Sequence, residues 1–205
     1  MGTPYPAQGV RVLPDSVSFV AALLVQFPQF ASAAFDPRRG VLRLSLLVGK
    51  KLPARVRAAF RRRLEDSLAV LRELQGGLPP RAEVRWQAGP NFTRFELVRS
   101  TDDLTLEEVR MVARLAQEAF GDDLLDHPQS RSGISGDPGA PVGGLFRDRL
   151  LLGGESQEET EELRYALEHA RHLRPSRPVV GVREGEKVLV YYAPRAARRV
   201  RERSP

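Results

Sequence analysis

Apolar residues recur along this chain with two different periods, and each change of period marks an element. Between residues 41 and 48, Leu42, Leu44, Leu46 and Val48 alternate with Arg43 and Ser45, the period of a strand with one buried face. From Pro53 to Leu74 the period lengthens. Val56, Phe60, Leu64, Leu71 and Leu74 fall at spacings of three, four and seven, which predicts one apolar helical stripe ended by Gly76-Gly77. A strand over 29–36 precedes the first and joins it through Pro37-Arg38-Arg39-Gly40, a turn with glycine at its end. Residues 82–88 and 92–99 predict a second hairpin around Gly89-Pro90-Asn91. Val84 and Trp86 oppose Glu83, Arg85 and Gln87 there, and Phe95 and Leu97 alternate with Arg94 and Glu96.

Helices bracket these hairpins. Asp15 or Ser16 caps an apolar helix running to about Phe27, which Pro28 ends. Thr105-Leu106-Glu107-Glu108 is a capping box opening a helix with apolar positions Val109, Val112, Ala113, Ala116, Ala119 and Phe120. Further on, Phe146–Leu152 reads as a short strand. Ser156 and Glu159 open a helix to about Leu173 with its stripe at Leu163, Ala166, Leu167 and Ala170. Pro178–Val182 and Lys187–Tyr192 form a last hairpin around Glu184-Gly185. Because Val188–Tyr192 is apolar on both faces, the pattern predicts a central or covered strand there.

The fold class expected is α+β, with antiparallel hairpins in repeated ββα units packed against helices, and a C-terminal helix plus hairpin. The expected division is an irregular segment 1–14, a main domain 15–125, a Gly/Pro/Ser-rich linker or mobile loop 126–145, a helix–hairpin unit 146–193 and a basic tail 194–205.

Composition narrows the function classes. The chain has 205 residues, 41% hydrophobic and 28% charged, which is ordinary for a folded protein. Without cysteine it has neither disulfides nor thiolate metal sites. No apolar run approaches the roughly 18 residues of a membrane helix. Residues 17–27 followed by Ala31-Ser32-Ala33 faintly mimic a signal peptide, but Asp15 and Pro28 oppose that reading, so a cytoplasmic location is expected. A single asparagine, two methionines and many charges suit a thermophile.

The net charge is +6, and of 32 basic residues only Lys50, Lys51 and Lys187 are lysine. A GC-rich genome explains much of the arginine total; placement carries more meaning. One run is Lys50, Lys51, Arg55, Arg57, Arg61, Arg62 and Arg63; the other is Arg195, Arg198, Arg199, Arg201 and Arg203. Guanidinium forks suit phosphate, and cations at a helix N-terminus oppose its dipole. These residues are therefore candidates for binding nucleic acid (RNA or DNA) or another polyanion. The competing reading is a solvated helix face and a solubilising tail. Arg43, Arg85 and Arg94 sit on outer strand faces, but no RNP-like aromatic segment accompanies them.

Acidic blocks compete for these cations. Residues 102–126 hold eight acids against Arg110 and Arg114, and 155–168 hold six against Arg164. They pair with arginine within one chain or between copies of a homo-oligomer. Asp122, Asp123, Asp126 and His127 have spacings that could share a metal, and His169 and His172 form an HxxH, but a helix C-terminus accounts for both histidines. The glycine loop 133–144 lacks both P-loop and dinucleotide signatures, and no nucleophile elbow is present. No cofactor or metal is expected. Three readings follow: a non-enzymatic binding protein for nucleic acid; a protein self-associating through its acidic and basic helices; and a small-ligand or metal-dependent enzyme with the 126–145 loop as a lid.

Overall fold

The computed structural model describes residues 16–77, 82–125, 157–170, 172, 177–185 and 187–193. The order of elements is α1 (Ser16–Gln26), β1 (Ser32–Asp36), β2 (Val41–Val48), α2 (Ala54–Leu74), β3 (Glu83–Ala88), β4 (Thr93–Ser100), α3 (Leu106–Phe120), α4 (Gln157–Ala170), β5 (Val179–Glu184) and β6 (Lys187–Tyr192). A short 3-10 turn, Gly121–Asp123, follows α3. The protein is of the α+β class, as the periodicity predicts.

All six strands form one antiparallel sheet in the order β3-β4-β2-β1-β5-β6. The hairpin β5–β6 therefore shares a sheet with the N-terminal strands, through the pairing of Ala33 with Gly181. Each of the first two hairpins is followed by a helix, so the ββα recurrence holds loosely, while β4 lies against β2 rather than extending the chain order.

Side-chain alternation divides the sheet into two faces. One row runs Val190, Gly181, Ala33, Leu44, Leu97, Val84 across all six strands and faces the helices. Phe35, Leu42, Leu46, Phe95 and Val179 lie on the same side and are buried. Helix α1 lays Phe19, Val20, Leu23 and Leu24 on β1, β5 and β6. It approaches so closely that a Cβ on Gly181 would stand 2.6 Å from Val20 Cγ1 and 2.7 Å from Leu24 Cδ1. The segment that mimics a signal peptide is thus a core helix. Among the described residues no helix is long and apolar enough to cross a membrane.

Phe60 of α2 is the centre of an aromatic cluster, with ring centroids 5.4 Å from Phe95, 4.8 Å from Phe120 and 6.0 Å from Trp86. The stripe of α2 differs from expectation at its end. Leu68 is buried, whereas Leu74 is 81% exposed, because the last turn of the helix overhangs the core. In α3, Leu106 and Leu115 join the predicted buried positions and Ala119 is exposed. The four predicted core positions of α4 are all buried, and the helix packs against α1 and α3.

The first hairpin turn follows its chemistry. Asp36 Oδ1 accepts from the Arg38 and Arg39 N–H groups at 3.1 and 3.4 Å, and Gly40 adopts φ 60° to close it. One strand departs from its sequence pattern: β6, apolar on both faces, lies at an edge of the sheet rather than in a covered position. The expected strand 146–152, the 126–145 loop, the lead-in and the basic tail lie outside the described residues.

Candidate polyanion-binding surface

The basic run 50–63 spans the end of β2 and the first half of α2, and the fold divides its members. Lys50 forms an ion pair with Asp123 after α3. Arg63 pairs with Glu118 of α3. Arg61 donates from Nη2 to the Val84 carbonyl at 2.8 Å, on the outer edge of β3. Three of the cations thus hold α2 and β2 to neighbouring elements of the same chain.

Lys51, Arg55, Arg57 and Arg62 are different. Among the described residues none of the four side chains has an ion-pair or hydrogen-bond partner. Lys51, Arg55 and Arg62 are exposed, and Arg57 is half-buried with its Nε sequestered. Arg55 and Arg62 stand seven residues apart, two helical turns and roughly 10 Å along one side of α2. The end of the helix where they gather has Pro53 as its N-cap, no side-chain cap and no acid in its first turn. Lys51 and Arg55 therefore lie beside the positive pole of the helix, and Arg62 continues the side of Arg55 two turns further on.

Asp103, Glu107 and Glu108 of the first acidic block meet arginines inside the monomer. Glu107 accepts from Arg164 of α4 at 3.1 Å. Arg72, in the last turn of α2, reaches Asp103 at 3.5 Å and Glu108 at 3.7 Å and donates to the Asp103 carbonyl. Arg99 is 2% exposed and Glu108 is 1% exposed. They form a bidentate pair through Nε–Oε1 and Nη2–Oε2, the latter 3.1 Å, and Asp103 adds a contact at 3.4 Å. Burial alone would lower the pKa of Arg99, but the hydrogen bond and charge of Glu108, with help from Asp103, hold it above the ordinary guanidinium value. The capping box is consequently only half used as expected. Thr105 Oγ1 does accept from the Glu108 N–H at 3.2 Å, but the Glu108 carboxylate turns to Arg99.

Arg43, Arg85 and Arg94 lie together on the face of the sheet opposite the helices, as the alternation predicts. Arg85 holds Glu83 at 2.7 Å and Glu96 at 3.7 Å, and Arg94 donates to Ser45 Oγ at 2.9 Å. Two acids against three arginines leave this face nearly neutral, so it attracts polyanions less than the start of α2 does. Reasoning from sequence misses Arg183. It is buried beneath the sheet and donates to the Leu24 carbonyl in the last turn of α1, where an orphan carbonyl needs a donor. The signal that could have found it is its place in step with Val179 and Gly181 on the buried phase.

Among the described residues no group of three ligating side chains exists; Asp123 is turned to Lys50, and Asp126 and His127 lie outside the described set. His169 stacks on Tyr165 at 3.8 Å and its Nδ1 lies 3.1 Å from the Tyr165 carbonyl, while His172 is exposed. A shallow cleft of about 390 Å³ opens between the start of α3 and α4, lined by Thr105, Leu106, Glu107, Arg164 and Glu168. Glu107 and Arg164 already pair across it. No family model, no curated protein and no solved structure matches the chain.

Proposed function

We propose that this protein is a non-enzymatic binding protein whose partner is nucleic acid, docked by its phosphates on Lys51, Arg55, Arg57 and Arg62 at the start of α2. The observation that carries this reading is the sorting of cations within one run. Lys50, Arg61 and Arg63 are engaged by the chain's own acceptors, whereas Lys51, Arg55 and Arg62 are exposed without a side-chain partner among the described residues, the first two beside an uncapped helix N-terminus. Phosphate oxygens supply what that surface lacks: negative charge, acceptors for guanidinium forks and acceptors for the first helical N–H groups. The tail arginines 195, 198, 199, 201 and 203 extend the same reading as a basic arm.

Such a surface contacts backbone rather than base edges, so binding is expected with little sequence preference. The test is fluorescence anisotropy with random-sequence RNA and DNA at low salt. The full-length chain should bind, and a Lys51→Gln, Arg55→Gln, Arg62→Gln variant should bind at least about tenfold more weakly. Absence of binding by the unaltered chain at low salt excludes the reading. Removal of 194–205 measures the share of the tail.

The rival reading, association through complementary acidic and basic helices, gains less support. Glu107, Glu108, Glu118 and Asp123 already have cationic partners within one chain.

A further inference from the structure

The two edges of the sheet are built on different principles. At β3 the side chains Glu83, Arg85 and Gln87 are exposed on the open face, and charge on an edge discourages further strands. The main-chain edge is guarded as well. Gly89 donates to the Phe92 carbonyl at 2.9 Å, so antiparallel alternation turns the main-chain groups of Val84, Trp86 and Ala88 outward. Arg61 occupies the first of these by donating to the Val84 carbonyl.

Among the described residues β6 meets none of these devices. Ala193 donates to the Pro178 carbonyl at 2.8 Å. The same alternation therefore directs residues 187, 189, 191 and 193 toward β5 and the main-chain groups of Val188, Val190 and Tyr192 away from the sheet. No charged residue occurs from 188 to 192. Leu189 is 46% exposed, Tyr191 50% and Tyr192 52%. Of the six large apolar side chains exposed among the described residues, three lie on this one strand: Leu189 and Tyr191 share the open face, and Tyr192 stands on the helix-facing side at the strand's end.

We propose that β6 is a self-association edge: it pairs antiparallel with β6 of a second copy of this chain, about a two-fold axis at Val190. A two-fold interface must be complementary to itself, and this strand is. Outward-facing residues have to pair with outward-facing residues, and the register that opposes Val190 to Val190 also opposes Val188 to Tyr192. It engages all of 187–193, makes about six main-chain hydrogen bonds and stops where it must. At one end Gly185 leaves the extended conformation with φ 60°; at the other Pro194 has no N–H to donate. The strand's one charge, Lys187, falls at opposite ends in the two copies, roughly 20 Å apart. Leu189 of each copy meets Tyr191 of the other on the open face, joining their apolar patches. A heterologous partner would need its own matching neutral strand; a second copy brings one by construction.

Sedimentation of the full chain at increasing concentration tests this pairing. The result expected is a monomer–dimer equilibrium that Val190→Pro reduces to monomer with an unchanged far-UV spectrum, since the N–H lost at 190 serves only the second copy. A cross-link fixes the register and does not depend on how the proline is tolerated. The chain has no cysteine, and Leu189→Cys mixed with Tyr191→Cys should give a disulfide-linked dimer in higher yield than either variant alone, because the pair would lie at about 4.5 Å between Cα atoms. A monomer at every concentration, a dimer that a folded Val190→Pro leaves intact, or no excess of cross-linking in the mixture overturns the proposal. So does a dimer that forms only after residues 194–205 are removed, which would make the chain's own tail the cover of this edge.

Discussion

Arg99 and Arg62 are the same side chain in opposite settings. Arg99 lies on the helix-facing phase of β4, in step with Phe95 and Leu97, and is sealed between β4, α2 and α3 with Glu108, Asp103 and Arg72 around it. Arg62 stands on the outer side of α2, exposed, with no carboxylate partner among the described residues. The contrast gives a rule for arginine-rich sequences. The fold uses an arginine wherever a core phase, an edge carbonyl or a facing acid demands a donor, and only the remainder are available to a partner.

Stability should separate the two sets. The largest effect is expected from Glu108→Ala. It leaves the Arg99 guanidinium buried without its bidentate acceptor and should cost about 3–5 kcal/mol in urea unfolding. Replacing both members, as Arg99→Leu with Glu108→Leu, should recover most of that loss, because two apolar side chains need no partner in the core. If the single and double variants are equally unstable, the cluster is not a self-contained ionic lock.

Arg61 should fall between the two settings. Arg61→Ala frees the Val84 carbonyl and is expected to cost about 1 kcal/mol, with little change in polyanion binding. The triple variant Lys51→Gln, Arg55→Gln, Arg62→Gln should stay within about 0.5 kcal/mol of the unaltered chain. A larger loss would mean that these side chains serve the fold after all.

The smallest effect concerns Glu83 on the open face. Its hydrogen bond with Arg85 outweighs a slight desolvation and, with the charges of Arg85 and Arg43, holds its carboxyl below the ordinary value of 4.5. A lowered folded pKa means that the unfolded chain takes up the proton first. The contribution of Glu83 is therefore complete above the ordinary value and is lost as the pH falls through the lowered one. Urea midpoints should converge between the unaltered chain and Glu83→Gln on going from about pH 5.5 to strongly acidic solution; a constant difference would contradict this.

The fold was largely legible in the alternation and in the turn residues. Strand β2 spans 41–48 as its alternating leucines require, and the stripe Leu163, Ala166, Leu167, Ala170 is the buried side of α4. Neighbour relations were not legible. Periodicity reports which face of a strand is apolar, but not whether another strand lies alongside, and for that reason β6 reads as covered while it stands at an edge. The site was legible only in part. The sorting of cations within the 50–63 run depends on which acceptor lies across space, such as Asp123 for Lys50 or the Val84 carbonyl for Arg61. No spacing within α2 encodes those partners. Arg99 and Arg183 did leave a trace, because each places a charge on an apolar phase, which obliges a buried partner.

Whether the outward cations of α2, rather than those engaged by the fold, meet phosphate is decided by salt. The quantity to measure is the slope of log K against log salt for single-stranded RNA, compared between the unaltered chain and the Lys51, Arg55, Arg62 triple variant. A steep negative slope is expected, shallower by about two units in the variant, near 0.7 for each phosphate no longer neutralised. An unchanged slope would contradict it.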